Sequence, residues 1–200
     1  MTNQEAEKGK VVFLIVDMQN EFTHEKGKRS ETYHLGAKEI VGNIRGLASR
    51  ARQMRIPVIY TRMAFRASYV DAHPGSPSRN VGALLDGTWG TEIIEELQPG
   101  PEDIVIVKRR SSAFFGTELE SILRALGTRR LVVTGVATNW AVESTVRDAH
   151  SHDYEVIVAS DGTASLNKEM HEFSLKVMGM IFAKVMTTKE VLATNFGTRG

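Results

Sequence analysis

The sequence predicts an α/β fold: a three-layer αβα, Rossmann-like domain around a central, mostly parallel sheet of five or six strands. Two observations predict it. Short apolar runs of strand length recur along the chain, and segments with apolar residues at helical spacing alternate with them. That alternation argues for βαβ units and a parallel sheet, and right-handed crossovers then place helices on both faces. With no repeats, low-complexity tracts or linker, residues 1–200 read as a single domain.

The elements follow in order. Val11 to Val16 is a continuous apolar run ending at Asp17, the pattern of a strand buried on both faces. Leu35 to Met54 carries Ile40, Ile44, Leu47 and Ala51 at helical spacing and closes before Pro57. Residues 57–61 read as the second strand and Ile104 to Val107 as the third, ending at Lys108. Thr117 to Leu126 is a helix stopped by Gly127. Leu131 to Gly135 is the fourth strand, and Asn139 to Ser151 a helix with Thr138 or Asn139 as its N-cap. Val156 to Ala159 is the fifth strand and Lys168 to Met180 a helix. Lys184 to Met186 adds an edge strand before a last helical turn from Lys189. Met63 to Gly90 is rich in Gly, Pro, Ser and Asn with little periodicity. A loop that long more often lines a binding site than merely connects.

Composition excludes several classes of function. Hydrophobic residues make up 42% and charged residues 24%, as in a soluble globular protein. A net charge of +1 gives no electrostatic case for nucleic acid or an acidic membrane. No apolar run reaches the roughly 18 residues of a membrane helix. Residues 1–10 are polar and lack the apolar centre of a signal peptide, so the expected location is cytoplasmic. The chain has no cysteine, which excludes disulfides, thiolate metal sites and a cysteine nucleophile.

In an open α/β sheet, ligands bind outside the carboxyl ends of the strands. Asp17, Lys108 and the Ala137–Ala141 loop all fall there in this reading. A helix opening after the fourth strand presents backbone N–H groups that favour negative charge, so a thiolate or a developing oxyanion would be stabilised there. An acid or a lysine just past a buried strand is, on spacing alone, usually a solvated end residue.

Three separated motifs change that balance: residues 14–22 (Leu-Ile-Val-Asp-Met-Gln-Asn-Glu-Phe), 107–117 (Val-Lys-Arg-Arg-Ser-Ser-Ala-Phe-Phe-Gly-Thr) and the Gly135–Asp148 stretch. In this order the chain resembles the isochorismatase-like cysteine hydrolases. The 82–91 and 108–117 segments resemble its carbamoyl and ureido amidohydrolases (N-carbamoylsarcosine, ureidoacrylate, biuret) more than its nicotinamidases. The resemblance implies hydrolysis of a C–N bond in a small linear amide or ureido compound, and a homodimer or homotetramer. It places the family's catalytic aspartate on Asp17, its lysine on Lys108 and its cysteine on Ala141. It also implies a cis peptide between Val136 and Ala137 and an oxyanion hole from the amides of Ala137 and Ala141. Trp140, beside residue 141, is the first candidate substrate contact. Phe22, Phe115, Trp89 and Arg110 are further candidates, and Asn20 and Gln19 are supporting hydrogen bonders. Phe114 is another aromatic near the motif, and Lys26, Lys28, Arg29 and Arg109 are further cations able to anchor a carboxylate.

Asp71-Ala72-His73-Pro74 resembles the metal-binding Asp-x-His-Pro element of the family's nicotinamidases. It lies ten residues past Thr61, however, and residues 74–108 contain no histidine. Zinc needs at least three protein ligands; neither metal nor cofactor is expected. His150 and His152 sit where a helix C-terminus favours them.

Alanine has no nucleophilic atom. Three explanations are open: a Cys-to-Ala change made to hold substrate uncleaved, an isochorismatase-type vinyl ether hydrolase that needs no thiol, and a pseudoenzyme that binds without turnover. Against the second, those enzymes usually carry Tyr-Ala-His where this chain has Ala137-Thr138-Asn139.

Overall fold

In a computed structural model, which describes residues 11–30 and 36–198, six parallel strands form one sheet. They are β1 (Val11–Val16), β2 (Val58–Met63), β3 (Ile104–Lys108), β4 (Arg130–Val136), β5 (Glu155–Ala164) and β6 (Lys184–Met186), in spatial order β3-β2-β1-β4-β5-β6. From β1 the chain builds outward through β2 and β3, then returns to β4 on the other side. The strand order therefore reverses between β1 and β4, where an open sheet leaves a crevice at its carboxyl edge. Register makes that edge level, because Val16 pairs with both Thr61 and Gly135.

β1 alternates its side chains between two cores, as a strand buried on both faces must. Val11, Phe13 and Ile15 meet Ile40, Ile44, Leu47 and Ala51 of α2 (Ala37–Gln53). Val191 of α7 (Thr188–Ala193) packs on the same side. Val12, Leu14 and Val16 face α4 (Leu119–Ala125), α5 (Glu143–Ser151) and α6 (Lys168–Ile181) through Leu119, Leu123, Val146 and Met178. The short helices α1 (Asn20–Thr23) and α3 (Pro77–Val81) belong to the carboxyl edge rather than to either layer. The Asn167 side chain caps α6, and Thr187 with Glu190 forms a capping box on α7. No helix among the described residues is long and apolar enough to cross a membrane.

The structure departs from the sequence reading in three places. β5 runs on to Ala164, past the polar Ser160-Asp161-Gly162-Thr163, because a register shift against β4 lets it re-pair at Thr163. The chain after β4 enters one π-helical turn, Thr138–Val142, before α5 begins. Neither Thr138 nor Asn139 caps that helix: their side chains are held sideways by His171 and Ser165. The irregular 63–90 segment contains α3 and a bridge pairing Phe65 with Leu85. Leu35, placed at the start of α2 from sequence, lies outside the described residues.

Candidate active site

The site begins with a buried ion pair. Lys108 ends β3 with no solvent exposure, and its Nζ lies 2.7 Å from Asp17 Oδ2. The same ammonium donates to the carbonyls of Arg110 (3.0 Å) and Ser111 (2.9 Å), so its three protons have three acceptors. Asp17 follows β1 with φ of 52°, a left-handed conformation that aspartate tolerates better than most residues. Its amide donates to the Thr61 carbonyl, and its Oδ1 accepts from the Thr61 hydroxyl at 2.9 Å. Burial pushes the Asp17 carboxyl above the ordinary aspartate range, against the opposing pull of Lys108 and Thr61.

The third corner is the loop after β4. The peptide between Val136 and Ala137 is cis. Gly135 (φ 112°) precedes it; a Cβ there would lie 2.0 Å from the Val16 carbonyl oxygen, so only glycine lets β4 approach β1 this closely. The π turn follows, with Trp140 and Val142 amides both donating to the Ala137 carbonyl. Beneath it, Thr145 Oγ1 accepts from the Ala113 amide and donates to the Ala141 carbonyl at 2.6 Å, tying this loop to the one after β3. α6 clamps the loop from behind. Thr138 Oγ1 pairs with His171 Nδ1 at 2.9 Å, and Ser174 Oγ reaches both the Thr138 carbonyl and Glu143. Burial holds His171 below the usual histidine range, with Glu172 opposing.

These corners open on a cavity of about 400 Å³. Asp17, Ala137, Trp140 and Ala141 line it. Met63, Phe65, Ser76 and Ser78 of the irregular segment line it too, as do Arg29, Arg109 and Arg110. The volume suits a small ligand. Among the sequence candidates, Phe22, Trp140 and Arg110 reach the cavity, as do Arg29 and Arg109. Gln19, Asn20, Trp89, Phe114, Phe115, Lys26 and Lys28 do not line it. Gln19 is spent on Met63 and Thr91 backbone groups, and Asn20 donates to the Trp89 carbonyl, so both fasten the wall from outside. Trp89 packs edge-on against His24, and Phe115 points to solvent. Phe114 is likewise turned away, stacked on His152.

The metal-like element is otherwise engaged. Asp71 receives the Arg66 amide (3.0 Å) and Arg109 Nε (2.7 Å), and its carbonyl accepts from Arg110 Nη1. Burial pushes its carboxyl up, but the hydrogen bonds from Arg66 and Arg109 prevail and leave it lowered. His73 Nδ1 accepts from the Gly75 amide at the cavity wall. Among the described residues, no group of three His, Asp or Glu side chains is placed to hold a metal ion. Sequence reasoning did not pick out Thr61, Thr145, His171 or Ser174. Each acts through a partner more than 30 residues away, and no local spacing signals that.

Comparison with known proteins agrees with this geometry. The isochorismatase domain profile matches residues 11–190. The ureidoacrylate amidohydrolase RutB of Rhizobium rhizogenes is 36% identical, over 90% of this chain and 81% of its own length. That of Agrobacterium fabrum is 38% identical over 78% of this chain and 76% of its own. An isochorismatase-like hydrolase from Alkaliphilus metalliredigens superposes with TM-score 0.80 at 33% identity, covering 92% of this chain and 98% of its own. The N-carbamoylsarcosine amidase of Thermoplasma acidophilum does so with TM-score 0.72 at 29% identity, covering 90% and 96%. With its domain matched from β1 to α7 and its topology shared with solved relatives, the chain belongs to the isochorismatase family.

Proposed function

We propose that the cavity is built to hydrolyse the C–N bond of a small linear amide or ureido compound that carries a carboxylate, and that the chain as it stands binds this substrate without cleaving it. The observation that carries the reading is the buried Lys108–Asp17 pair at the carboxyl edge, with Asp17 and Ala141 lining the same cavity. A carboxyl whose pKa is raised by burial is a stronger base when ionised, and Lys108 keeps the ionised form accessible. A thiol at residue 141 would give its proton to Asp17 and attack the carbonyl, whose oxyanion the Ala137 and residue-141 amides would hold. The amine leaves with that proton, and water deprotonated by Asp17 then opens the thioester. Alanine supplies none of this, so the route stops at binding.

The names of the relatives support a ureido acid as the substrate class. Arg29, Arg109 and Arg110 on the cavity wall support the carboxylate, because guanidinium matches that group in shape and charge. No cofactor enters the scheme.

The test is Ala141→Cys, assayed at pH 7–8 with ureidoacrylate and related carbamoyl acids. Turnover is expected, together with an acyl adduct on residue 141 detected by mass spectrometry. If the restored thiol neither acquires an adduct nor consumes any small amide or ureido compound, the reading fails. In that background Asp17→Asn is expected to cut the rate by about 10²–10⁴-fold, the usual effect of losing a general base.

A further inference from the structure

The apolar part of the cavity has no task in the chemistry assigned to it. Asp17, residue 141 and the loop amides serve the reacting carbonyl, and the arginines serve a carboxylate. Phe22, Met63, Phe65 and Trp140 line the same space and do neither. Phe65 belongs to a small apolar cluster with Ala72, Ala83 and Leu84, apart from the two cores that flank the sheet. Those buried members are enough to hold the irregular segment together. Phe22 and Met63 pack on the cluster yet stay half-buried, and Trp140 is 43% exposed beside residue 141. Apolar surface is therefore left for whatever fills the cavity.

Size points the same way. A cavity of about 400 Å³ falls in the range that takes drug-sized ligands. Ureidoacrylate has polar groups at both ends, two carbons between its nitrogen and its carboxylate, and no side chain. It leaves the apolar surface uncovered.

Resting on the reaction proposed above, we infer that the substrate is an N-carbamoyl amino acid with a bulky apolar side chain. Its α-carbon is the branch point that the lining calls for. The ureido group reaches residue 141, the carboxylate meets the arginines, and the side chain packs on Phe22, Met63, Phe65 and Trp140. Aromatic side chains fit best, because three of these four residues are rings and a thioether also makes favourable contacts with rings. With a thiol at residue 141, water would replace the terminal amine of the ureido carbon. Ammonia leaves, and the N-carboxylate that remains takes up a proton and loses carbon dioxide to give the free amino acid. As it stands, the chain holds the compound uncleaved.

Isothermal titration calorimetry of the full chain tests this with N-carbamoylglycine and both enantiomers of N-carbamoylphenylalanine. One enantiomer is expected to bind about 10–100-fold more tightly than the glycine compound, the worth of burying a side chain of that size. Trp140→Ala and Met63→Ala are each expected to cut that ratio by about fivefold or more. Both ligands are measured on the same variant, so a general loss of affinity cancels, and circular dichroism checks the fold. A ratio of one or below overturns the inference, as does a ratio that neither variant changes or no measurable binding of N-carbamoylphenylalanine. The Ala141→Cys chain separates this failure from failure of the reaction. Faster release of ammonia from N-carbamoylphenylalanine than from ureidoacrylate supports both. The reverse order leaves the reaction standing and removes the apolar side chain. No ammonia from any ureido acid sinks the reaction, and this inference with it.

Discussion

Lys108 has three protons and three acceptors, all buried, so its charge is fixed in place by one carboxylate and two carbonyls. Breaking such a pair leaves an uncompensated charge in the interior, at about 3–5 kcal/mol. Lys108→Met is therefore expected to lower unfolding free energy by that amount in a urea titration. Asp17→Asn combined with Lys108→Met should recover most of the loss, because neither charge is then stranded. A double variant as unstable as Lys108→Met alone would show that the two residues are not coupled. At this scale Asp17, Lys108 and residue 141 were legible because each ends a strand or opens a helix in a recognised motif. Thr61 and Ser111 were not: one acts through a hydroxyl on the neighbouring strand, the other through a carbonyl any residue supplies.

Between elements, two contacts decide whether the carboxyl edge keeps its shape. The first is the closeness of β4 to β1 at Gly135. Gly135→Ala would drive a Cβ into the Val16 backbone and impose a positive φ on alanine. Destabilisation of about 3 kcal/mol or more is expected, as for severe backbone changes. Guanidinium unfolding measures it, and a loss below 1 kcal/mol would mean that the strands separate at little cost. The second contact is α6 against the loop. His171, half-buried and held below its unfolded pKa of about 6.5, binds its proton less readily in the folded chain than in the unfolded one. Its contribution to stability is thus complete above about pH 6.5 and is lost as pH falls below it, until the folded histidine also titrates. Urea titrations at pH 8, 6 and 5 should show this slope, and His171→Asn, whose amide can still meet Thr138, should flatten it. Strands β1 to β5 were legible from apolar runs, and β6 only as a short added edge segment. The π turn and the extension of β5 were not, because both arise from pairing partners rather than from local pattern.

Over the whole molecule, the αβα order was legible because short apolar runs alternate with segments of helical periodicity. The cavity wall was not. It is an irregular segment sewn on by long-range polar bonds: Gln19 to Met63, Arg29 to Ser78 and Arg110 to the Asp71 carbonyl. These segments lie between 39 and 49 residues apart in sequence, so the cavity exists only when the chain is folded. A ligand that fills it must then stabilise the fold by mass action, about 2.7 kcal/mol at one hundred times its dissociation constant. For a domain of this size that amounts to roughly 5–10 °C in Tm. Because residue 141 is alanine, the ligand should survive the melt unchanged. Although the net charge is only +1, Arg29, Arg109 and Arg110 all line the cavity, Arg109 in an ion pair with Asp71, so guanidinium groups lie within reach of a bound carboxylate. A ureido acid should therefore raise Tm more than its neutral carboxamide at equal concentration, and added salt should narrow the gap. Arg110→Gln should narrow it further, each shift being read against the variant's own ligand-free Tm because the bond to the Asp71 carbonyl is lost as well. Equal shifts from acid and carboxamide would remove the carboxylate from the recognised substrate and leave only the amide.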